Sequence, residues 1–175
     1  MSYSNGLGVP QDDTEAVRWV RLAAQQGVPG AQVSLGMRYE RGTGVFVNDT
    51  EAARWYRLAA DQGYVTGQVR LGFMYDSGRG VPEDDAEAVH WFRLAAEQGR
   101  SDAQAMLGVK YALGEGVPLD LVSAYMWLNL AAAQAHEIAR EQKDNIEQLM
   151  TREQIAEAQR LSREWIETHP QDGGN

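Results

Sequence analysis

The chain has 175 residues, of which 43% are apolar, and its formal net charge at pH 7 is -9. The apolar share is typical of a folded protein, whereas so acidic a chain lacks the cationic surface with which proteins contact nucleic-acid phosphates. The absence of cysteine excludes disulfide bonds, thiolate metal sites and a cysteine nucleophile, and no apolar run approaches the roughly 18 residues of a membrane-spanning helix.

A unit of 36 residues recurs along the chain without a gap. The residues that return at this interval are Leu35, Leu71 and Leu107, then Tyr3, Tyr39, Tyr75 and Tyr111, and also Trp19, Trp55, Trp91 and Trp127. A fixed period of about 20 to 50 residues is typical of solenoid proteins. We therefore predict an all-α superhelix, or solenoid, of antiparallel helix pairs, which provides a surface for holding another molecule.

The repeat divides the chain into five segments. Residues 28–63, 64–99 and 100–135 are complete units, residues 1–27 match the second half of a unit, and residues 136–175 have no counterpart upstream. A solenoid end normally carries a polar cap, because a bare end exposes the core. Since no first helix precedes Tyr3, we interpret the amino-terminal segment as a truncated repeat.

Each complete unit opens with a predicted helix. In residues 28–63, Ala31, Leu35 and Tyr39 are four residues apart and therefore share one side of this helix. Gly36 lies inside it and returns in the next two units, although glycine in a helix interior costs about 1 kcal/mol relative to alanine. We therefore expect a neighbouring helix to approach this glycine closely.

A glycine-containing turn and a second helix complete the unit. Asp49 is placed to cap the second helix, Glu51 lies in its first turn, and Gly63 ends it. Phosphate-binding glycine loops follow a strand and occur once, whereas these pairs follow helices and recur, so we interpret them as turns. The pairs are Gly6/Gly8, Gly42/Gly44, Gly78/Gly80 and Gly114/Gly116.

The second helix is predicted to face the first through Ala52, Trp55 and Ala59, which are spaced at i, i+3 and i+7. In the third complete unit two of the boundary signals change. Leu121 stands where the second unit has the expected cap, Asp85, and Ala135 stands in place of the closing glycine. We therefore expect this helix to continue beyond the repeat.

Two capping helices are expected after the last unit. An amphipathic helix is indicated by Ile138, Ile146, Leu149 and Met150. A capping-box pattern from Thr151 to Gln154 opens another helix, which ends at His169-Pro170. The apolar side of that helix comprises Ile155, Ala158, Leu161 and Trp165. We interpret the pair as a cap over the open face of the last repeat, and we expect residues 171–175 to be frayed.

The recurring patterns A-x-x-x-L-G-x-x-Y, G-x-G-V and A-x-x-W-(Y/F)-R-L-A-A-x-x-G resemble those of the Sel-1-like repeat family, a relative of the tetratricopeptide repeats. The resemblance extends from Tyr3 to about Ala135, and MTREQIAEAQRLSREW looks like the closing helix of bacterial members. It implies a right-handed superhelix that acts as an adaptor or assembly scaffold. Some exported, cysteine-rich members have been linked to penicillin binding or hydrolysis, and this chain departs from them in lacking cysteine.

The polar motifs favour structural roles, so we expect no cofactor, no metal site and no catalytic residue. Asp12-Asp13 and Asp84-Asp85 lack the alternating ligands of a calcium loop, and one member of each pair is expected to cap a helix. His90 takes the place of an arginine in earlier units and is expected on the solvated surface. No HExxH, Gly-x-Ser-x-Gly or Ser-x-x-Lys sequence is present.

An apolar strip occupies the side of the first helices that lies opposite their Leu35-type positions, at about 100° of rotation per residue. The strip and its rim comprise Val33, Met37, Glu40 and Arg41, then Val69, Phe73 and Asp76, then Ala105, Val109 and Ala112. Two interpretations remain open. The strip is either packing between successive first helices or an exposed groove rimmed by Glu40, Arg41 and Asp76.

The main functional hypothesis is a non-catalytic scaffold that holds a peptide or a partner's helix in this groove. The predicted contacts are Val33, Met37, Val69, Phe73 and Val109, with the rim charges setting the register. An enzyme acting on cell-wall or β-lactam substrates is an alternative supported only by the cysteine-rich relatives.

A third possibility is self-association, in which the truncated end stacks on another copy through Tyr3 and Trp19. We expect no nucleic-acid partner and no insertion into a membrane. The composition is compatible with the cytosol and equally with an exported protein.

Overall fold

The computed structural model describes residues 13–169, within which the chain forms nine α-helices. The helices are α1 (Asp13–Gln25), α2 (Pro29–Arg41), α3 (Asp49–Ala60), α4 (Val65–Ser77), α5 (Asp85–Glu97), α6 (Ser101–Leu113), α7 (Leu121–Ala133), α8 (Glu137–Glu147) and α9 (Arg152–Thr168). Each helix from α1 to α7 packs against the next one in sequence, and α9 returns to pack against α7. This sequential packing confirms the predicted all-α solenoid of helix pairs.

The recurring glycines bring the two helices of each unit together, as the sequence predicted. A Cβ atom added to Gly36 would lie 2.6 Å from the Tyr56 ring, and one added to Gly72 would lie 2.7 Å from the Phe92 ring. At Gly108 the nearest atom is Leu128 Cγ, at 2.7 Å. These approaches are closer than a real Cβ tolerates, so glycine is required for the ring or side chain of the second helix to seat fully.

The Gly-x-Gly pairs form turns. Gly42, Gly78 and Gly114 end the first helices with φ angles of 74°, 64° and 72°, the left-handed conformation that glycine adopts readily. The second glycine of a pair lies against the preceding unit, because a Cβ on Gly80 would overlap the carbonyl oxygen of Asp49. The pair Gly6/Gly8 lies outside the described residues.

The expected helix caps were wrong by one residue. The caps are Asn48, Asp84 and Asp120, whose side chains accept hydrogen bonds from backbone N–H groups in the first turn. Asp49, Asp85 and Leu121 are instead the first residues of their helices. Leu121 therefore replaces no cap. Asp12 lies outside the described residues.

The expectation that α7 continues beyond the repeat was also wrong. Helix α7 ends at Ala133, and Ala135 adopts a φ of 61° where the earlier units have glycine. An alanine in the left-handed region is strained, since its Cβ crowds the following carbonyl. The turn is nevertheless kept, and it directs the chain into α8.

Helices α8 and α9 pack against α7, the second helix of the last complete unit. Ile146 of α8 and Ala158 of α9 are buried in one cluster with Tyr125 and Leu128 of α7. Thr151 and Gln154 form the expected capping box, and α9 ends at Thr168, although Pro170 and residues 171–175 lie outside the described residues. The predicted apolar side of this amphipathic helix was wrong at Ile138, which is 65% exposed, and at Leu149, which lies beyond the end of α8 and is 72% exposed.

Candidate functional site

The predicted strip residues occupy different environments. Val33 and Val69 are only 5% and 4% exposed, in clusters with the alanines and aromatic rings of the second helices. Ala105 is also buried, at 6% exposed. Met37 packs against the cluster that contains Val33, Val109 packs against the cluster that contains Ala105, and both are half-buried. Packing between helices therefore accounts for the position of the valines at 33 and 69.

Three of the predicted residues come together at one place. Glu40, Phe73 and Asp76 line a cavity of about 320 Å³ between α2, α3 and α4, which we call the Phe73 pocket. Its complete lining is Glu40, Tyr56, Arg70, Phe73, Met74, Asp76, Ser77 and Arg79. The other predicted contacts, Val33, Met37, Arg41, Val69 and Val109, are not part of this lining.

Phe73 is the apolar element of the pocket. Its ring packs edge-on against Phe92, with the ring centroids 5.1 Å apart and the planes at 73°. The side chain nevertheless remains 39% exposed, whereas the apolar strip residues Val33 and Met37 on α2 and Val69 on α4 are more buried. An aromatic side chain that is anchored on one side and open on another is well suited to contact a partner.

Glu40 is held in place by three groups. The Tyr56 hydroxyl donates a hydrogen bond of 2.6 Å to Glu40 Oε2, Arg79 donates one of 3.4 Å to Oε1, and Arg70 Nη1 lies 3.8 Å from Oε2. Burial, followed by the hydrogen bond to Glu40, raises the pKa of Tyr56 well above its ordinary value. The hydroxyl therefore stays a neutral donor.

The pocket's other carboxylate, Asp76, is held by Lys110 of α6. Lys110 Nζ lies 2.5 Å from Asp76, 2.6 Å from Asp85 and 2.9 Å from Glu115, and its side chain is only 6% exposed. Burial lowers the pKa of this lysine, but the hydrogen bonds to the three carboxylates outweigh it and raise the pKa overall. Lys110 is thus a charged side chain that ties α6 to the preceding unit.

Sequence reasoning missed Tyr56, Arg70, Arg79 and Lys110. Arg79 is the middle residue of a Gly-x-Gly pair, and its bond to Asp49 spans 30 residues. Only Lys110 carried a visible signal, because the chain has two lysines and this one lies inside a predicted helix.

A second cavity, of about 640 Å³, lies beside the turn between α2 and α3. Phe46 lines it and is 96% exposed, at a position where the other units have proline. Arg21 donates to the Tyr39 hydroxyl in the same cavity, and equivalent pairs recur as Arg57 with Tyr75 and Arg93 with Tyr111. Because the pair recurs, it belongs to the repeat framework.

The three histidines lie at separate places on the chain. His90 is exposed, as expected, and His136 caps α8 by accepting a hydrogen bond from the Ala139 N–H. His169 stacks on Trp165 with centroids 4.5 Å apart. Among residues 13–169, no group of three or more metal-binding side chains is placed to hold an ion, and no helix is long and apolar enough to cross a membrane.

The packing of consecutive helix pairs defines an all-helical repeat protein. The Sel1 repeat profile matches residues 1–28, 29–64, 65–99 and 101–136, so this chain belongs to the Sel1 repeat family. The resemblance seen in the sequence is therefore confirmed. None of the curated protein sequences matches the chain.

Solved structures of bacterial Sel1-like proteins share the fold. A Sel1 repeat protein from Oxalobacter formigenes is 36% identical with a TM-score of 0.76, over 80% of this chain and 58% of that one. A protective antigen present in uropathogenic Escherichia coli strains is 29% identical with a TM-score of 0.68, over 94% of this chain and 43% of that one. This chain thus spans less than two thirds of either.

Helicobacter pylori cysteine rich protein B also superimposes, with a TM-score of 0.59 over 78% of this chain and 98% of that one. Its sequence identity is 21%, so the likeness concerns the fold alone.

Proposed function

We propose that this Sel1 repeat protein is a non-catalytic interaction scaffold that holds a segment of a partner protein at the Phe73 pocket. The observation that carries the proposal is the convergence of a partly exposed aromatic ring with fixed charged groups in one cavity. Apolar anchors surrounded by polar groups are the usual composition of peptide-binding sites. Val33 and Val69 are buried and lie outside the pocket lining, so we do not expect them to contact the partner.

The substitution Phe73→Asp tests this proposal. It places a charge where the partner's apolar side chain would bind, so we expect capture of the partner from a lysate of the source cell to be lost. Leu58→Asp is the matched control, because Leu58 on α3 has the same 39% exposure and lies outside the pocket. Thermal unfolding of both variants should stay close to that of the wild type.

Two results would count against the pocket. Equal capture by both variants would show that Phe73 makes no contact with the partner. A large loss of thermal stability in Phe73→Asp alone would show that the ring serves to pack against Phe92.

The proposed absence of catalysis is supported by the chemistry of the pocket. Its carboxylates are held by cations or by a phenol, and no serine, cysteine or histidine nucleophile–base pair lies among its lining residues. Incubating the pure protein with a chromogenic β-lactam tests this, and turnover above the buffer rate would revive the enzyme hypothesis.

Self-association is a second candidate function, favoured by one observation. Trp55, Trp91 and Trp127 are 6% to 8% exposed because neighbouring units pack on them, whereas Trp19 is 62% exposed. A second copy stacking on α1 would bury this ring. Tyr3, the other predicted contact, lies outside the described residues. Sedimentation of the wild type and of Trp19→Ser over a range of concentrations tests the idea. A wild-type monomer at every concentration would exclude it.

A further inference from the structure

The charged groups of the Phe73 pocket differ in how far their hydrogen-bonding capacity is used. Glu40 receives Tyr56, Arg79 and Arg70, and Asp76 receives the buried Lys110. Both carboxylates are therefore occupied from within the fold. A cationic group of a ligand would meet carboxylates that are already paired with cations of the protein.

The arginines are in the opposite situation. Arg70 has five N–H donors, yet its single ion pair in the described part of the chain is the long contact of 3.8 Å to Glu40. Its side chain is 36% exposed. Arg70 therefore retains N–H donors for a ligand in this pocket, next to an exposed aromatic ring.

Arg41 adds a second cation near the same place. Within residues 13–169 it forms no ion pair or hydrogen bond with another side chain, and it is exposed at the end of α2. Its guanidinium lies close enough to Tyr56 to oppose the rise in the pKa of that hydroxyl, as Arg70 also does. Arg70 thus lines the pocket beside Phe73, and Arg41 is a further cation near Tyr56, in a chain whose net charge is -9.

The equivalent positions of the next unit are not cationic. Thirty-six residues after Arg41, Arg70 and Arg79 the chain has Ser77, Met106 and Glu115. The arginine set is therefore a feature of the junction between the first two complete units, and the 36-residue framework does not require it. A feature that the repeat does not need points to recognition.

We propose that the Phe73 pocket recognises a peptide segment in which a carboxylate side chain lies beside an aromatic or large aliphatic side chain. The apolar side chain contacts Phe73, and the carboxylate accepts hydrogen bonds from Arg70, with Arg41 contributing longer-range attraction. Glu40 and Asp76 line the same pocket, so a singly charged carboxylate fits better than a phosphate dianion. This inference rests on the proposed function and specifies the chemistry of the partner.

A selection of random peptides tests the specificity. A phage-displayed library of random heptapeptides is selected on the immobilised wild-type protein, and the enriched sequences are synthesised with a fluorescent label. We expect enrichment of Asp or Glu within two positions of an aromatic or large aliphatic residue. Replacing that acid by its amide should weaken binding about tenfold or more, as measured by fluorescence anisotropy.

The substitution Arg70→Gln should weaken binding of these peptides by a similar factor and reduce its dependence on salt. Arg54→Gln is the matched control, because Arg54 is an exposed arginine of α3 whose ion pair is with Glu51 in its own helix. The control should bind like the wild type. Arg70→Lys, which keeps the charge but loses the planar fork, should fall between the two.

The outcomes separate the two proposals. Enriched peptides that are neutral or basic, or that bind Arg70→Gln as well as wild type, would overturn the acidic specificity while leaving the pocket's function intact. If no peptide binds wild type better than Phe73→Asp, both proposals fail. The test of acidic specificity does not depend on the stability of Arg70→Gln. The acidic peptide and its amide form are compared on the wild-type protein.

Discussion

Two junctions between successive units have carboxylates at equivalent positions of the repeat. The cation that pairs with these carboxylates comes from a different position in each junction. The first junction consists of Glu40, Asp49 and Arg79, and the second of Asp76, Asp85, Lys110 and Glu115. Glu40 and Asp76 are 36 residues apart, as are Asp49 and Asp85. The repeat therefore preserves the acidic pair but leaves the position of the cation free.

The two cations differ in burial. Arg79 comes from a turn and its side chain is 48% exposed, whereas Lys110 comes from inside α6 and its side chain is 6% exposed. In the second junction the turn position of Arg79 is Glu115, and in the first the helix position of Lys110 is Met74. Exposed ion pairs stabilise a protein little, whereas breaking a buried pair is costly. Loss of the cation should therefore reduce stability more at the second junction than at the first.

Replacing Lys110 by methionine, the residue at the equivalent position of the first junction, should have the largest effect on stability. Lys110→Met leaves Asp76, Asp85 and Glu115 close together without a cation, so we expect a loss of about 2 to 3 kcal/mol in the free energy of unfolding. This is below the value for a fully buried pair because the three carboxylates are partly exposed. Urea denaturation followed by circular dichroism measures it.

Adding Glu115→Arg to Lys110→Met places the cation at the turn position that it has in the first junction, and it should restore part of the loss. A double-mutant cycle gives the coupling between the two positions. If the double variant is no more stable than Lys110→Met alone, the two junctions are not interchangeable and the comparison fails.

Alkaline pH should remove the charge from the cation of the second junction but not from that of the first, and stability should fall by less than the loss expected for Lys110→Met. Because the folded-state pKa of Lys110 is raised, its stabilising contribution is complete below the ordinary lysine value of about 10.4 and is lost as pH rises through the folded value. Tyr56, whose pKa is also raised, has the same sign. The arginine of the first junction stays charged throughout this range.

We therefore expect the free energy of unfolding to fall above about pH 10, and Lys110→Met to reduce that slope. Lys143→Met is the matched control, since Lys143 is the chain's other lysine and its ion pair within residues 13–169 is with the adjacent, exposed Asp144, besides a contact with the Tyr125 ring. An equal change of slope in both variants would contradict the role given to Lys110.

Removing the first junction's cation should produce the smallest effect. Arg79→Gln breaks the ion pairs to Asp49 and Glu40, yet both ends are partly exposed, so we expect a loss of at most about 1 kcal/mol. High salt should reduce the difference from wild type. A loss as large as that of Lys110→Met would show that exposure does not separate the junctions.

The sequence by itself determined the repeat, the helix pairs and the close packing at Gly36, Gly72 and Gly108. These features depend on the spacing of residues within about one unit, and the same spacing recurs in every unit. The caps were misplaced by a single residue because neighbouring polar side chains, such as Asn48 and Asp49, are equally able to accept the N–H groups of a helix.

Only the tertiary structure decided which strip residues are buried and which cation meets which carboxylate. Val33 and Phe73 belong to one sequence pattern, yet the first is buried against α3 and the second is 39% exposed, because residues of other helices decide what covers each position. Arg79 reaches Glu40 across 39 residues and Lys110 reaches Asp85 across 25. Helical periodicity describes one helix at a time, and these contacts are made between helices of different units.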